Sequence, residues 1–371
     1  MSAISHLVSL ARLAGDNAPK VVYGLVRMHW RYFLFGRGRG LDKLLPLDTP
    51  LKVHVDPASG CNFKCFFCPQ SEPEALAAAG VKAGVMKLPL FKKLVDDLKE
   101  LPGKVDELVL GNYGEPLLNK NLPEMIRYAV DSNCAREVSI ITNASLLTPD
   151  RAEAIAAAGL HKIRISIEAL SDQAYEATVD VPVRFGDIVE NVRNFQDAVR
   201  RHGGKTFIYA KIIDIGFSPE DKKKFFDIFA PITDAVSIEN LMPVNEKSIQ
   251  FIGTQPKGMT GVSLSKGRAV CPSPFYSLSV HMDGDVGVCC ADWHHKTSVG
   301  SIADRSLKDI WNGPELAEFR LQQLTRSWRN IAACQGCEIV HHYPVYEDLD
   351  AHREKLRQTY DSGQHRTNSP G

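Results

Sequence analysis

The sequence lacks four features that would each place it in a familiar class of protein. It has no run of about 18 apolar residues, the length that a membrane-spanning helix needs, and no secretory signal. It has no net charge, because 44 Lys and Arg residues balance 44 Asp and Glu residues, and this argues against nucleic acid as a partner. Its nine cysteines are also too unevenly spaced, in 371 residues, for the disulfide framework of a small secreted domain. We therefore expect a cytoplasmic, oxygen-sensitive protein.

The most informative stretch is a loop that contains three cysteines. Cys61, Cys65 and Cys68 follow closely behind the alternating apolar run at residues 51–55. Three sulfurs separated by short turns can converge on one metal centre. Three protein ligands leave such a centre one ligand short, which suits catalysis, whereas structural zinc sites are normally closed by four. A zinc knuckle and buried free cysteines remain as alternatives.

The spacing Cys-x3-Cys-x2-Cys, with Phe67 before the last cysteine, resembles the signature of the radical S-adenosylmethionine (radical SAM) superfamily. The resemblance implies that Cys61, Cys65 and Cys68 hold a [4Fe-4S] cluster whose open iron binds S-adenosylmethionine (SAM), with Phe67 beside that site. It further implies that one electron from a flavodoxin- or ferredoxin-type reductant splits SAM. The resulting 5'-deoxyadenosyl radical would then abstract hydrogen from a substrate.

From residue 49 to about residue 240 the sequence alternates strand and helix patterns. The predicted strands are residues 52–55, 105–110, 138–141, 162–167, 207–213 and 235–238. The predicted helices are residues 89–101, 121–133, 148–158, 185–202 and 219–230. This alternation predicts an α/β fold with a parallel sheet and helices outside it, and the resemblance implies a partial (β/α)6 barrel. The chemistry of such sheets lies at the carboxyl ends of the strands, where the cysteine loop begins.

Three further strand ends carry segments similar to those of the family. Gly114 and Glu115, after the second strand, match its Gly-Glu segment, whose backbone groups bind the SAM amino group. Asn143, after the third strand, matches the Thr-Asn-Gly position near the adenosyl group. Ser166 and Glu168 look like the pair that binds the ribose, and alternate residues of a strand point to the same side. Taken one at a time, these segments are equally compatible with a turn, a helix cap and a structural carboxylate.

Two features of this region stay open. Tyr113 stands where the family segment has its first glycine, so only the positions from Gly114 onward carry over. Lys211 and Glu239, on the fifth strand and after the sixth, are predicted to reach the SAM carboxylate or the substrate. A salt bridge across the barrel is an equally good interpretation of these two side chains.

A second group of cysteines lies between Cys271 and Cys337. An alternating run, a turn at Asp-Gly-Asp and a second run predict a β-hairpin, and a helix is predicted from about residue 306 to 324. The pattern resembles the SPASM/twitch extension of radical SAM enzymes, and this implies one auxiliary [4Fe-4S] cluster. The implied ligands are Cys271, Cys289, Cys334 and Cys337. Zinc bound by four cysteines is the alternative, and Cys290 competes with Cys289 as a ligand.

The remaining segments complete the predicted domain organisation. Residues 1–48 form an amphipathic, locally basic helical extension, for which packing on the outside of the main domain is favoured over contact with a membrane surface or an anionic substrate. Residues 241–270 are a linker or substrate-covering loop, residues 271–345 are the auxiliary cluster domain, and residues 346–371 are a tail. Cys134, on a predicted helix, is interpreted as a thiol of the core.

The two cofactors implied by the resemblance suggest oxidation or epimerisation of a small molecule. Hydrogen abstraction from a hydroxyl-bearing carbon, followed by transfer of a proton and of an electron to the auxiliary cluster, would give a ketone. Asp292, His294 and His295 are candidate proton acceptors, Glu239 is another polar candidate, and Cys290 is a hydrogen donor for an epimerase. We expect a polyol, aminocyclitol, sugar or nucleotide-sugar substrate. A maturase of a ribosomally made peptide and a non-catalytic metal-binding scaffold are the alternatives.

Overall fold

A nine-stranded sheet organises the chain. The structure is a computed structural model that describes residues 3–23, 40–252, 267–326 and 328–361. The strands are β1 Lys52–Val55, β2 Val105–Leu110, β3 Ala135–Thr142, β4 Lys162–Ile167, β5 Phe207–Asp214, β6 Ala235–Asn240, β7 Ser277–Val280, β8 Asp285–Gly287 and β9 Ser298–Ser301. Their order is β6-β5-β4-β3-β2-β1-β7-β8-β9. The six strands predicted for the barrel are all present and pair in parallel, so the predicted α/β fold is confirmed.

The described helices connect these strands. They are α1 Ala3–Ala14, α2 Pro73–Ala78, α3 Leu88–Lys99, α4 Leu122–Asp131, α5 Pro149–Ala157, α6 Asp172–Val179, α7 Phe185–Arg201, α8 Pro219–Phe229, α9 Glu246–Ile252, α10 Ser273–Tyr276, α11 Leu307–Trp311, α12 Pro314–Arg326 and α13 Arg353–Asp361. Several of these helices begin at a proline or at a side chain that caps the first turn. Ser218 and Asp221 form a capping box at the start of α8, which satisfies two free backbone N–H groups. No helix among the described residues is long and apolar enough to cross a membrane.

The two faces of the barrel strands differ in polarity. On the outer face, apolar side chains such as Val53, Leu108 and Ile165 are fully buried in one core with Phe91 and Phe195 of the helices. The alternate residues, which face away from the helices, are largely polar. Because successive side chains of a strand point to opposite faces, the apolar alternation of the sequence sets which face the helices cover and leaves the polar set inside.

A partly buried charge network closes the amino-terminal end of the polar face. Lys162 on β4 lies 2.5 Å from the carboxylate of Glu107 on β2 and 2.8 Å from that of Glu137 on β3. Lys52 on β1 approaches the second oxygen of Glu107 at 3.3 Å. Buried charges persist only when they are paired, so these contacts tie four neighbouring strands together.

The auxiliary domain continues the sheet of the barrel. Strand β7 pairs in parallel with β1, and β8 and β9 follow in antiparallel order. The predicted hairpin is therefore confirmed, with a third strand that the sequence did not reveal. The single helix predicted for residues 306–324 is wrong, because the chain breaks between α11 and α12 at Gly313. A Cβ atom on Gly313 would lie 2.8 Å from the carbonyl oxygen of Asp309, which shows how sharply the backbone turns there.

The ends of the described chain also pack against the main body. The ammonium of Lys20 donates to the Thr233 carbonyl oxygen at 2.7 Å, and Val21 is fully buried, so residues 8–23 lie against the outside of the helix layer. The apolar and arginine positions of the predicted amphipathic helix from residue 25 to 39 lie outside the described residues, as do residues 253–266 of the predicted linker. The predicted tail contains α13, which packs on α12.

Candidate active site

The loop with three cysteines leaves β1 at its carboxyl end and is held by α6, the helix after β4. The Lys64 and Phe66 N–H groups donate to the carbonyl oxygens of Val179 and Thr178, at 2.8 and 3.1 Å. Both acceptors lie on α6, a helix that the sequence pattern did not predict. The Phe63 N–H donates to the Cys61 Sγ at 3.4 Å. Phe67 is buried with its ring edge-on to Phe66, the centroids 5.0 Å apart.

The electrostatics of this loop fit a metal centre. Burial raises the pKa of Cys61 to about 12 and that of Cys68 to about 11. Burial also raises the pKa of Cys65 well above its usual value, and the charges of Glu168, Cys68 and Cys61 raise it further. Three thiols that perturb one another in this way lie close together. They can remain thiolates only beside a compensating cation, and an iron–sulfur cluster supplies one.

Gly114 brings the end of β2 into contact with this loop. A Cβ atom there would lie 2.2 Å from the Ala58 carbonyl oxygen and 2.5 Å from that of Gly60, distances that no side chain tolerates. The N–H of the next residue, Glu115, donates to the Gly60 carbonyl oxygen at 2.9 Å. Glycine is therefore required because two backbones meet.

The Glu115 carboxylate joins the ends of β2 and β3. It is almost fully buried and accepts hydrogen bonds from Leu117 N–H, Thr142 Oγ1 and Asn143 N–H at 3.0, 2.7 and 2.9 Å. Burial raises its pKa to about 7, against the opposing effect of these hydrogen bonds. The side chain is thus committed to the barrel itself, so a SAM contact from this residue would use its backbone.

Asn143 lies directly beside the cysteine loop. Its Nδ2 contacts the Cys61 Sγ at 3.8 Å and donates to the Asn62 Oδ1 at 3.1 Å. Ala144, where the family segment has glycine, is held at a φ of +60°, a left-handed conformation that costs a residue with a side chain about 1–2 kcal/mol. The Asn143 side-chain amide group thus contacts the cysteine loop, while its Oδ1 accepts from Ser145.

Ser166, Lys211 and Glu168 form a polar group near the three cysteines. Ser166 on β4 is in register with Lys211 on β5. The charge of Glu168 raises the pKa values of Cys65 and Cys68, and that of Lys211 lowers them, so both side chains are close to the loop. The Glu168 Oε2 is buried and has no hydrogen-bond partner among the described residues. Because buried polar atoms are almost always hydrogen-bonded, this oxygen fits a hydroxyl-bearing ligand such as the ribose of SAM.

Glu239 is engaged in the ion pair that the sequence left open. Its Oε2 lies 2.5 Å from the Arg164 guanidinium on β4, and its Oε1 accepts from the Tyr209 hydroxyl at 2.8 Å. Both carboxylate oxygens are thus occupied inside the barrel. No sequence motif indicates a role for Arg164 or Tyr209, because their shared partner Glu239 lies on a different strand.

The second group of cysteines also converges. Burial raises the pKa of Cys271, and the charges of Cys337, Cys334 and Cys290 raise it further. The backbone N–H of Ala291 donates to the Cys289 Sγ at 3.3 Å, a contact typical of cluster ligands. Burial likewise raises the pKa of Cys289, and the charges of Cys290, Cys271 and Cys337 raise it further. The five cysteines of this group therefore lie in one region of the structure, which would suit a four-ligand centre with one cysteine left over.

Gln323 on α12 connects the distant parts of this second group. Its Nε2 contacts the Cys334 Sγ at 3.9 Å, and its Oε1 accepts from the Cys271 N–H at 3.3 Å. Cys134 lies apart from both groups, in the turn between α4 and β3 rather than on the predicted helix. It is buried and contacts the Ala129 carbonyl oxygen at 3.7 Å, as expected for a core thiol.

Two residues after β2 link the cysteine groups to each other. The Asn112 Nδ2 donates to the Cys290 carbonyl oxygen at 2.9 Å, and the Tyr113 hydroxyl donates to that of Cys289 at 3.1 Å. The Tyr113 carbonyl oxygen accepts from Gln70 at 2.8 Å, two positions beyond Cys68. Tyr113 therefore connects the two loops, a role that its departure from the family motif did not predict.

The candidate proton acceptors lie beside the second group. The Asp292 carboxylate accepts from the Thr297 N–H at 2.6 Å, and its charge raises the pKa values of Cys334 and Tyr113. His294 is exposed, whereas His295 is partly buried and burial lowers its pKa to about 4. Because this burial disfavours the protonated imidazole, His295 is a weak proton acceptor, and Asp292 is the stronger candidate of the two.

Comparison with known families agrees with this geometry. Residues 55–213 match the family model described as the radical SAM superfamily, and residues 271–338 match the iron–sulfur cluster-binding domain SPASM. The chain belongs to the radical SAM superfamily and carries a SPASM domain. Its cofactors are therefore [4Fe-4S] clusters and SAM. Which side chains hold them remains a prediction from the geometry above.

Curated relatives of this radical SAM protein are distant. A 2-deoxy-scyllo-inosamine dehydrogenase of Niallia circulans is 23% identical over 81% of this chain and 95% of its own length. A dTDP-4-amino-4,6-dideoxy-D-glucose ammonia-lyase of Streptomyces venezuelae is 29% identical over 40% of this chain. That match spans only 29% of the lyase, and matches to a GTP 3',8-cyclase and a heme synthase span 55% and 37% of those proteins.

Solved radical SAM structures support the fold. SuiB of Streptococcus suis, solved with its precursor peptide, aligns with a TM-score of 0.58 at 16% identity, over 76% of this chain and 69% of SuiB. The protein anSMEcpe, solved with SAM and a peptide, aligns with a TM-score of 0.54 at 15% identity, over 85% of this chain and 98% of its own. At these identities the likeness concerns the fold alone.

Proposed function

We propose that this protein is a radical SAM enzyme that oxidises or epimerises a hydroxyl-bearing carbon of a small polar substrate. The substrate classes are polyols, aminocyclitols, sugars and nucleotide sugars. Three features support this function. The barrel interior suits such a ligand, several residues could hold SAM and its cluster, and a second cysteine group lies beside them.

The polar atoms left without partners inside the barrel carry the proposal. They are buried and have no hydrogen-bond partner among the described residues: His54 Nδ1, Arg164 Nε, Glu168 Oε2 and Ser279 Oγ. They belong to β1, β4, β7 and the end of β4, on the face turned away from the helices. Because each such atom costs about 1–3 kcal/mol when unpaired, they favour a ligand that is rich in hydroxyl or amino groups and small enough to enter the barrel.

The relatives support the same class of substrate. The dehydrogenase of Niallia circulans, which matches along almost its whole length, is named for an aminocyclitol. The lyase of Streptomyces venezuelae is named for a nucleotide amino sugar. We carry over the class of substrate from these names, and neither individual substrate.

We assign the first cofactor to the carboxyl ends of the strands. Cys61, Cys65 and Cys68 would hold the [4Fe-4S] cluster, which together with SAM supplies hydrogen-atom abstraction from carbon. The backbone at Gly114 would bind the SAM amino group, and Lys211 its carboxylate. The other proposed SAM contacts are Phe67, Glu115, Asn143, Ser166 and Glu168.

Oxidation of a carbinol removes two hydrogens. The first leaves as a hydrogen atom, and the protein must then accept a proton and an electron. We assign the auxiliary cluster to Cys271, Cys289, Cys334 and Cys337, because the Cys289 sulfur accepts a backbone N–H. Cys290 then remains a free thiol, and an epimerase would use it as hydrogen donor. Asp292 is the proposed proton acceptor. Glu239 is better suited to orient substrate through Arg164, since both of its carboxylate oxygens are already occupied.

The test is anaerobic reconstitution followed by incubation with SAM, a reductant and three substrate panels. The panels are polyols and aminocyclitols, nucleotide sugars, and peptides. A product lighter by two hydrogens, formed with one 5'-deoxyadenosine, establishes dehydrogenation. Solvent deuterium in a product of unchanged oxidation state establishes epimerisation, and turnover of peptides alone would contradict the proposal.

Two variants separate this proposal from a non-catalytic scaffold. Cys65→Ala is expected to lose about four irons and to form no 5'-deoxyadenosine. Cys134→Ala, which removes a buried thiol outside both groups, is the matched control and should keep its iron. Equal iron content in the two variants would refute the assignment of Cys65.

A further inference from the structure

Three side chains outside the cysteine groups meet at the carboxyl ends of β1 and β7. Asp56 follows β1 and His281 follows β7, and the parallel register of Val55 with Val280 sets them side by side. His295, in the loop before β9, completes the group. One ligand atom from each of the three side chains lies within 4.8 Å of those of the other two.

The Asp56 carboxylate is buried in a position that calls for a cation. Its exposed fraction is 2%, and its Oδ1 accepts from the Tyr113 N–H at 3.1 Å. Its Oδ2 lies 2.9 Å from the His281 Nδ1, the only ion pair recorded for it among the described residues. Buried carboxylates are retained when paired with a cation or bound to a metal. The Tyr113 N–H also fixes the carboxylate so that Oδ2 faces the imidazole, as outer hydrogen bonds do around metal sites.

The two histidines are held against each other beside this carboxylate. His281 is 1% exposed, and its Nε2 is buried without a hydrogen-bond partner among the described residues. The ring of His295 lies over that of His281, with centroids 3.4 Å apart and planes 14° apart. His295 has a φ of +52°, a left-handed conformation that costs about 1–3 kcal/mol and is often found at functional sites.

We propose that Asp56, His281 and His295 form a binding site for one divalent transition-metal ion, zinc or ferrous iron, separate from both cysteine groups. Two imidazoles and one carboxylate are a ligand set that these ions prefer, and three protein ligands leave a position open. Because the two rings are nearly parallel, coordination by both requires His295 to turn about its Cβ–Cγ bond. His295 is the partly exposed member of the group and can make this rotation, while the metal ion would take the place of the proton now shared by Asp56 Oδ2 and His281 Nδ1.

Aromatic side chains shield the site. The Tyr113 ring lies 5.4 Å from that of His281 and 5.6 Å from that of His295, and Trp293 lies edge-on to it at 4.5 Å. An apolar shell of this kind limits water at a metal site and strengthens binding by nitrogen and oxygen ligands. The proposal concerns metal binding and does not depend on the substrate of the enzyme.

The test uses the anaerobically reconstituted holoenzyme, in which the cysteines are already occupied. The protein is incubated with zinc, desalted and analysed for zinc and iron per chain, and X-ray absorption at the zinc edge identifies the ligand atoms. The wild type and the control His294→Ala, which changes an exposed neighbour, should each retain about one zinc bound by nitrogen and oxygen only. His281→Ala and His295→Ala should bind zinc at least about tenfold more weakly, with unchanged iron.

Three results would overturn the site. The first is a wild type that retains no zinc, which would leave Asp56 and His281 as a hydrogen-bonded pair. The second is sulfur among the zinc ligands, which would place the metal on cysteines. The third is equal zinc affinity in His295→Ala and the wild type. His295→Ala removes a partly exposed ring, and its iron content reports whether the variant is folded.

Discussion

Replacement of Glu115 by Gln tests the electrostatics of the junction between β2 and β3. The carboxylate is buried, and burial raises its pKa from an ordinary value of 4.5 to about 7. Between these two values the folded chain keeps a proton that the unfolded chain has lost. The free energy of unfolding therefore falls as the pH rises through this window. Glutamine does not titrate, so the variant should lack this part of the pH dependence.

The size of the effect follows from the shift. Each pKa unit corresponds to about 1.4 kcal/mol, so the wild type should lose about 3 kcal/mol relative to Glu115→Gln between pH 4.5 and values above 7. The substitution also turns an amide toward the Asn143 N–H, which now donates to the carboxylate at 2.9 Å. That unsatisfied donor costs the variant about 1–3 kcal/mol at every pH. This constant cost lowers the stability of the variant equally at every pH. The test is therefore how the difference in free energy of unfolding between the two proteins changes with pH.

The assay is urea unfolding of the metal-free protein across this pH range. Glu176→Gln, at an exposed position on α6, is the control for removal of one carboxylate and should follow the wild type. A difference between wild type and Glu115→Gln that stays constant with pH would refute the raised pKa. A difference that changes in the opposite direction would show that the three hydrogen bonds outweigh burial.

Three further substitutions test individual contacts. Gly114→Ala places a methyl group 2.2 Å from a backbone carbonyl oxygen and should prevent iron loading of the first cysteine group, whereas Gly186→Ala, with open space around the new Cβ, should load normally. Glu168→Gln should weaken SAM binding at least about tenfold in equilibrium dialysis, since a charged acceptor for hydroxyl groups is lost, and unchanged affinity would argue against a ribose contact. Tyr113→Phe removes one hydrogen bond to the auxiliary loop and should lower the free energy of unfolding by about 1 kcal/mol; an equally stable variant would show that this bond contributes nothing.

The barrel was predictable because its signals are local. Several strands, such as β1 and β4, alternate apolar and polar residues, and several helices begin at a proline or a capping residue, as at Ser218. The predicted strands consequently differ from the observed ones by a few residues at most, as for β3. Helix α6 was not predicted because it has only eight residues, too few to show a clear helical period. The break at Gly313 was not predicted because the sequence on both sides of it has a helical pattern.

The site was predictable only where it resembles a known motif. The three cysteines of the loop, together with Gly114 and Glu168, were predicted as site residues in this way. Asp56 and His281 were not, because they are 225 positions apart in sequence and neither belongs to a short pattern. Contacts of this kind follow from the pairing of β7 with β1, and a sequence pattern carries no information on which distant strands pair.

Tyr113 accounts for two features of this chain that the family motif does not predict. The sequence has tyrosine where the family segment has glycine, and the auxiliary domain extends the barrel sheet. A glycine at this position could neither donate to the Cys289 carbonyl oxygen nor place a ring against His281. Its main-chain N–H, which binds Asp56, would be kept. The tyrosine side chain therefore adds contacts to a backbone that the barrel already fixes, and through it the segment after β2 holds the loop that carries the auxiliary cysteines.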